Sequence, residues 1–326
     1  MTSATLSARL TAQLLAGERP RDPVSVAERL LAVQAQDLRA ARLAVRARSE
    51  GLAASDVDHA LTEDRSLVVT WLNRGTLHLV RSEDLAWLHA LTAPTLAATN
   101  ARRLRQEGVG DAAGERAVAA IAASLADAGA LTRDQLRERV PVAGQALVHV
   151  LLLASLQGLI VRGPVVDGDQ AYALTRDWLG EPPRVDRVAA LAELARRYLA
   201  GHGPADERDL ARWSGLPLRD ARAGLRALGG APDAPPPAEV PPPRLLGGFE
   251  PLLLGWDSRD EVVGPHGDAI VSGGIFRPFA LVRGRARALW RLRGGRAGVE
   301  PLERLSRPER DALDGEAAAV ERFLAG

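Results

Sequence analysis

Residues 132 to 174 limit the fold more than any other stretch of the chain. Thr132-Arg-Asp-Gln135-Leu136 has the spacing of a capping box and opens a short helix. Val140-Pro-Val-Ala-Gly144 then turns the chain into an apolar helix, Gln145 to Leu156. Leu159-Ile-Val-Arg162 and Ala171-Tyr-Ala-Leu174, joined by a turn ending at Gly168, read as a two-stranded hairpin. Helix, turn, helix and hairpin in that order is the winged-helix pattern. It returns from position 206. There Asp206-Glu-Arg-Asp209-Leu210 opens a helix, Gly215-Leu-Pro217 turns, and Leu218 to Leu228 forms the second helix. The bland alternative is that any two capped helices with a short turn look alike.

The flanking segments set the fold class. Ser7 to Ala16, Ser25 to Val33 and Leu38 to Arg48 have helical apolar spacing. Val68 to Trp71 and Thr76 to Val80 read as short strands around the turn Asn73-Arg74-Gly75. Ser82 to Leu91 opens like a helix with Ser82 as N-cap, and Glu115 to Ala128 is a further helix. Ala231 to Pro243 is proline-rich and reads as a linker. Beyond it Leu245 to Leu254 and Ile275 to Arg293 read as strands, and Ser306 to Leu324 as a closing helix with Pro308 in its first turn. The expected chain is mainly α with short β hairpins, an α+β fold of tandem winged helices with a β-rich C-terminal segment. Its expected units are 1–110, 111–182, 183–230, the linker 231–243, and 244–326.

Composition removes whole classes of chemistry. All 42 basic residues are arginine, and there is no cysteine. Lysine Schiff bases, P-loop lysines, disulfides and thiolate catalysis are therefore excluded. A net charge of +1 means that any basic surface is local. No apolar run has the length of a membrane span, and Met1 to Pro20 lacks an apolar signal core. A cytoplasmic, nucleoid-associated protein without a membrane contact is expected, as a monomer.

Three constellations carry chemistry. Between Ala269 and Val299 there is no acid but seven arginines, including Arg277, Arg283, Arg285 and Arg287. Arg285, Arg287, Arg291 and Arg293 share one strand parity, opposite Ala286, Ala288, Trp290 and Leu292. A cationic strand edge suits a nucleic-acid backbone; the alternative is a solvated face. In Val33-Gln34-Ala35-Gln36-Asp37, the two glutamines converge only on an extended backbone, since on a helix they point about 200° apart. Asp37 is a fitting N-cap for the helix from Leu38. Arg39, Arg42 and Arg46 share a face of that helix and are positioned to hold phosphates; polar filler is the alternative for the glutamines. The third is Arg74 with His78, where a lone histidine on a strand is more often structural than a base. The remaining histidines have no metal-ligand spacing, so no metal or cofactor is expected.

Taken in order, five segments resemble one family. They are Leu31-Ala-Val-Gln34-Ala-Gln36-Asp37, Thr70-Trp-Leu-Asn-Arg-Gly75-Thr-Leu-His78-Leu, Gly203-Pro204 with Asp209-Leu-Ala-Arg-Trp213-Ser-Gly215-Leu, Gly248-Phe249-Glu-Pro-Leu-Leu-Leu-Gly255, and Gly274-Ile-Phe-Arg277-Pro278. They are similar to the AlkZ-type bacterial DNA glycosylases. That family often has Phe-Asp where this chain has Phe249-Glu250, and an Arg-Asp-Arg run where it has Trp256-Asp257-Ser258-Arg259. The resemblance implies tandem winged helices in a C-shape with a concave surface for duplex DNA. It implies that Gln34 and Gln36 are catalytic, with Asp37 as either N-cap or rival base. It implies excision of alkylated or cross-linked guanine, and, in some members, self-resistance to a DNA-alkylating product. Two other classes compete: a non-catalytic winged-helix regulator, and a resistance protein that sequesters a reactive small molecule.

Overall fold

The computed structural model describes residues 3–166, 168–229 and 241–326. The chain begins with α1 (Ala4–Ala12), α2 (Pro23–Leu30), β1 (Val33–Gln34), α3 (Leu38–Ala47) and α4 (Ala54–Thr62). A hairpin of β2 (Leu67–Leu72) and β3 (Thr76–Arg81) leads into α5 (Leu85–Gln106). Next come α6 (Asp111–Ala128), α7 (Arg133–Arg139), α8 (Gly144–Leu156), β4 (Ile160–Val166), β5 (Asp169–Leu174) and α9 (Thr175–Leu179). Three helices follow, α10 (Arg187–His202), α11 (Glu207–Ser214) and α12 (Leu218–Ala227). The last part holds β6 (Arg244–Leu246), α13 (Pro251–Leu254), α14 (Asp260–Val263), α15 (Gly267–Ile270) and the short hairpin β7 (Val271–Ser272) and β8 (Ile275–Phe276). It closes with β9 (Phe279–Val282), β10 (Arg285–Arg293), β11 (Arg296–Pro301) and α16 (Arg307–Ala325).

Helix starts follow their caps. Thr132 with Gln135, Asp206 with Asp209, and Ser306 with Glu309 each form a reciprocal capping box, so two orphan N–H groups are satisfied at each start. Helices α7 and α8 meet at 103°, the angle of a helix–turn–helix, and β4 and β5 follow as an antiparallel hairpin. At the expected second unit, Gly215 takes the left-handed conformation (φ 73°) that ends α11, and α12 follows. No hairpin follows α12 directly among the described residues. The expected linker falls largely on residues 230–240, outside the described part.

Two expectations are corrected. Leu245 to Leu254 is not one strand: Glu250 caps a helical turn with Pro251 at its first position, so the chain leaves β6 after Leu246. Ser82 does not cap α5; its hydroxyl donates to the Arg65 carbonyl, a 3₁₀ turn intervenes, and α5 runs on through Pro94 to Gln106.

The main sheet is antiparallel with the order β1-β3-β2-β4-β5. One face, with Val33, Val69 and Leu79, packs against α2, α3, α4, α6 and α8. The other, with Val68, Leu72 and Val80, packs against α5, α10 and α11. Strand β2 is buried along its whole length, which explains its apolar run, interrupted only by Thr70. A second sheet, β11-β10-β9-β6, is covered by α16 on one side and by α1 with α13–α15 on the other.

Candidate active site

Strand β1 is two residues long, and it carries Gln34. Leu31, at φ 65°, ends α2 and swings the chain into the sheet. Ala35 N–H donates to the Leu77 carbonyl at 2.7 Å, and Asp37 caps α3 by accepting from Arg39 N–H at 2.9 Å. The Gln-x-Gln segment is thus extended between two helices, as the i, i+2 argument expects.

The two glutamines are not equivalent. Gln36 Oε1 accepts from Leu77 N–H at 2.9 Å, so the side chain stands in for the next main-chain carbonyl beyond β1. Its oxygen is engaged, and the amide NH₂ is the free end of this exposed residue. Gln34 is 7% exposed, yet its oxygen and nitrogen have no hydrogen-bond partner among the described residues and both keep contact with solvent. A nearly buried amide with both ends unengaged is placed to meet something that arrives from outside.

Directly opposite Gln34 across the strand is His78, and opposite His78 on the far side is Thr70. These three form a polar row on the sheet face that otherwise carries Val68, Leu72 and Val80. Thr70 Oγ1 is satisfied by Ser155 Oγ at 2.8 Å. His78 Nδ1 lies 2.9 Å from the Thr76 carbonyl, which can only accept, so Nδ1 carries the proton and Nε2 is a bare acceptor. Burial, and then the Arg74 cation, push the His78 pKa down to about 3, so the ring is neutral at physiological pH.

A cationic cluster borders this row. Arg74, on the β2–β3 turn, donates to the carbonyls of Arg212 and Trp213 at 3.1 and 2.6 Å and so caps the C-terminus of α11. Burial first, then repulsion from Arg212 and Arg259, lower its pKa. Burial and Arg212 lower that of Arg259 as well, whose guanidinium stacks 5.0 Å from the Phe276 ring centre. Arg212, which also lies 4.0 Å from Asp257, and Arg259 are neighbours of Arg74 that the sequence did not suggest; no local pattern joins positions 74, 212 and 259.

The other arginines divide. Arg39 is exposed, without an acid partner. Arg42 pairs with Asp58 at 2.6 Å. Arg46 is bidentate to Glu316 at 2.8 Å for each bond, with both side chains nearly buried, and so ties α3 to α16. On the acid-free run the expected single cationic face is corrected: a β-bulge between Ala286 and Ala288 switches faces, so Ala286 packs beside Leu281 on one side of the sheet while Ala288 and Trp290 pack on the other, and carboxylates arrive from elsewhere in the chain. Arg287 pairs with Glu303 and with Glu309, and Arg283 reaches Glu309 at 3.0 Å while staying largely exposed. Arg285 is exposed with no acid partner among the described residues, and exposed Arg277 donates to the Ala269 carbonyl at 3.3 Å. Glu250, at the position where the resemblance shows a departure, is fully buried against Arg48 and caps α13, a structural role.

The helix–turn–helix order of α7 and α8 with its hairpin is one that DNA-binding proteins use. The chain belongs to the AlkZ-like DNA glycosylase family, whose pattern it matches over residues 27–323. It is 28% identical to the interstrand DNA cross-link repair glycosylase of Streptomyces sahachiroi, over 96% of this chain and 94% of that protein. The structure of Streptomyces sahachiroi DNA glycosylase AlkZ superposes with a TM-score of 0.78 at 25% identity, covering 99% of this chain and 97% of that one.

Proposed function

We propose that this glycosylase hydrolyses the N-glycosidic bond of N7-alkylated guanine in duplex DNA, including bulky or cross-linked adducts, with Gln34 and Gln36 at the reacting centre. The observation that carries this reading is the Gln34 amide, nearly buried yet without a partner among the described residues, in a chain of this family. Guanine alkylated at N7 is already cationic. When the C1′–N9 bond breaks, both electrons leave with the base, which departs neutral and needs no general acid. The sugar becomes an oxocarbenium ion, and a water adds at C1′ and loses a proton to solvent. A neutral amide is a poor base, but its oxygen dipole stabilises the cation and orients the water. Gln34 Oε1 fits that role. Gln36 has its oxygen on Leu77 N–H, so it offers the NH₂ group as a donor to the water or to the sugar–phosphate. Asp37 is the N-cap of α3.

The chain has no lysine, and arginine stays protonated, so no side-chain amine forms a Schiff base with the sugar. The product is an intact abasic strand. Of the arginines the sequence singled out, Arg39, Arg277 and Arg285 are exposed with no acid partner among the described residues and are the candidates for phosphate contacts. The similarity to an interstrand DNA cross-link repair glycosylase supports cross-links as a substrate class; self-resistance to a DNA-alkylating product is the use the family resemblance implies for some members. Incubation of an N7-methylguanine duplex with the protein, followed by hot alkali, tests the reading. Strand breaks at the modified guanine are expected; a band shift without breaks would leave only a DNA-binding module.

A further inference from the structure

We propose that His78 is the second acceptor for the attacking water: His78 Nε2 and Gln34 Oε1 each accept one of its hydrogen bonds, leaving an oxygen lone pair aimed at C1′. This rests on the glycosylase reading above and assigns one further residue to the same site.

Four observations carry it. First, register makes Gln34 and His78 direct cross-strand partners on one face of the sheet. The neighbouring pair, Ala35 and Leu77, shares a main-chain hydrogen bond at 2.7 Å, so Gln34 and His78 form the intervening pair, the type in which side chains approach most closely. Second, the Thr76 carbonyl fixes the tautomer, so the nitrogen left over is an acceptor. Third, the ring is only 3% exposed, but Nε2 has no partner among the described residues and keeps contact with solvent, the same condition as both ends of the Gln34 amide. Fourth, the ring is buried beside the Arg74 cation, which together with burial keeps it neutral. A neutral acceptor in that setting holds a water without taking its proton.

The chemistry balances without a base in the protein. The glycosidic electrons leave with guanine, the water oxygen bonds to C1′, and the surplus proton passes to bulk solvent. His78 stays neutral throughout. Its contribution is to fix where the oxygen sits when the cation forms.

The test uses the full-length protein and an N7-methylguanine duplex. His78→Asn keeps an N–H for the Thr76 carbonyl but has no acceptor at the ε position; His78→Gln restores an oxygen there. Single-turnover excision should fall by on the order of 10- to 100-fold in His78→Asn, with duplex affinity within about twofold, and recover most of the way in His78→Gln. A second readout separates positioning from loosening of the hairpin. In water–methanol mixtures the wild type should form less methyl glycoside at C1′ than the bulk composition dictates, because the site holds one water. His78→Asn should move that ratio toward the bulk value. A slower variant with an unmoved ratio, or a wild type already at the bulk ratio, would overturn the proposal, and the latter needs no variant to fold. Failure of the wild type to excise any guanine would instead refute the glycosylase reading on which this one depends.

Discussion

At the scale of single residues, the extended Gln-x-Gln segment was legible because only an extended backbone brings side chains at i and i+2 together, and because aspartate before a helical pattern is a cap signal. The division of labour between the glutamines was not legible, because the atom that engages Gln36 lies on a strand 41 residues away. That division leads to a prediction. Gln34→Ala should lower excision by on the order of 10²-fold or more with DNA binding intact, the size typical of a lost preorganised group. Gln36→Ala removes the brace on the β3 backbone as well, so it should lower both excision and melting temperature. Single-turnover rates and thermal melts of the two variants check this, and equal melts for both would contradict the bracing role. The buried histidines give a pH prediction. His78 and His202 have pKa values of about 3, chiefly from burial, against 6.5 when unfolded. Between those values the unfolded chain binds the extra protons, so stability is full above about pH 6.5 and falls as pH drops toward 3. Each group removes about 2 kcal/mol by pH 5. Chemical denaturation at pH 5 and 7.5 should show the drop, and His202→Phe should make it smaller.

At the scale of elements, helix starts were largely readable: Thr132, Asp206 and Ser306 each open a helix where expected, all three as capping boxes, while Ser82 does not cap α5. Strand readings failed where a run of leucines hid a Glu-Pro helix start at Glu250. Arginine roles were the least readable, since a guanidinium on a helix face looks the same whether it meets a phosphate or a carboxylate from a distant helix. The acid-free run between Ala269 and Val299 shows the point: its acids come from Glu303, Glu309 and Glu321 beyond it. Arg39 and Arg46 sit on one helix and should behave oppositely. Arg46→Ala leaves the nearly buried Glu316 with only Arg244 at 4.0 Å and the Leu245 N–H at 3.3 Å, and should destabilise by about 1 to 3 kcal/mol. Arg39→Ala should leave stability unchanged and weaken duplex binding. Urea unfolding beside a binding titration distinguishes the two, and loss of binding without loss of stability in Arg46→Ala would reverse their roles.

At the scale of the whole molecule, the first helix–turn–helix unit was readable as a local pattern, but its place in the fold was not. Its hairpin joins the N-terminal strands through the contact of Val69 with Arg162, making one five-stranded sheet that no local signal joins. The same folding brings Arg74 beside His78, and Arg212 and Arg259 beside Arg74. Neutralising Arg39, Arg277 and Arg285 together should weaken binding to all duplex sequences alike and flatten the log–log salt dependence by about 2 to 3; an unchanged slope would put the DNA on another surface. The lysine-free composition constrains how the reaction ends. The most direct measurement is therefore excision from an N7-methylguanine duplex with borohydride present, followed by alkali, for the wild type and Gln34→Ala. The wild type should give strand breaks only after alkali and no trapped protein–DNA adduct, and Gln34→Ala should give almost none. A borohydride-trapped adduct, breaks before alkali, or undiminished excision by Gln34→Ala would contradict a hydrolytic centre built on Gln34.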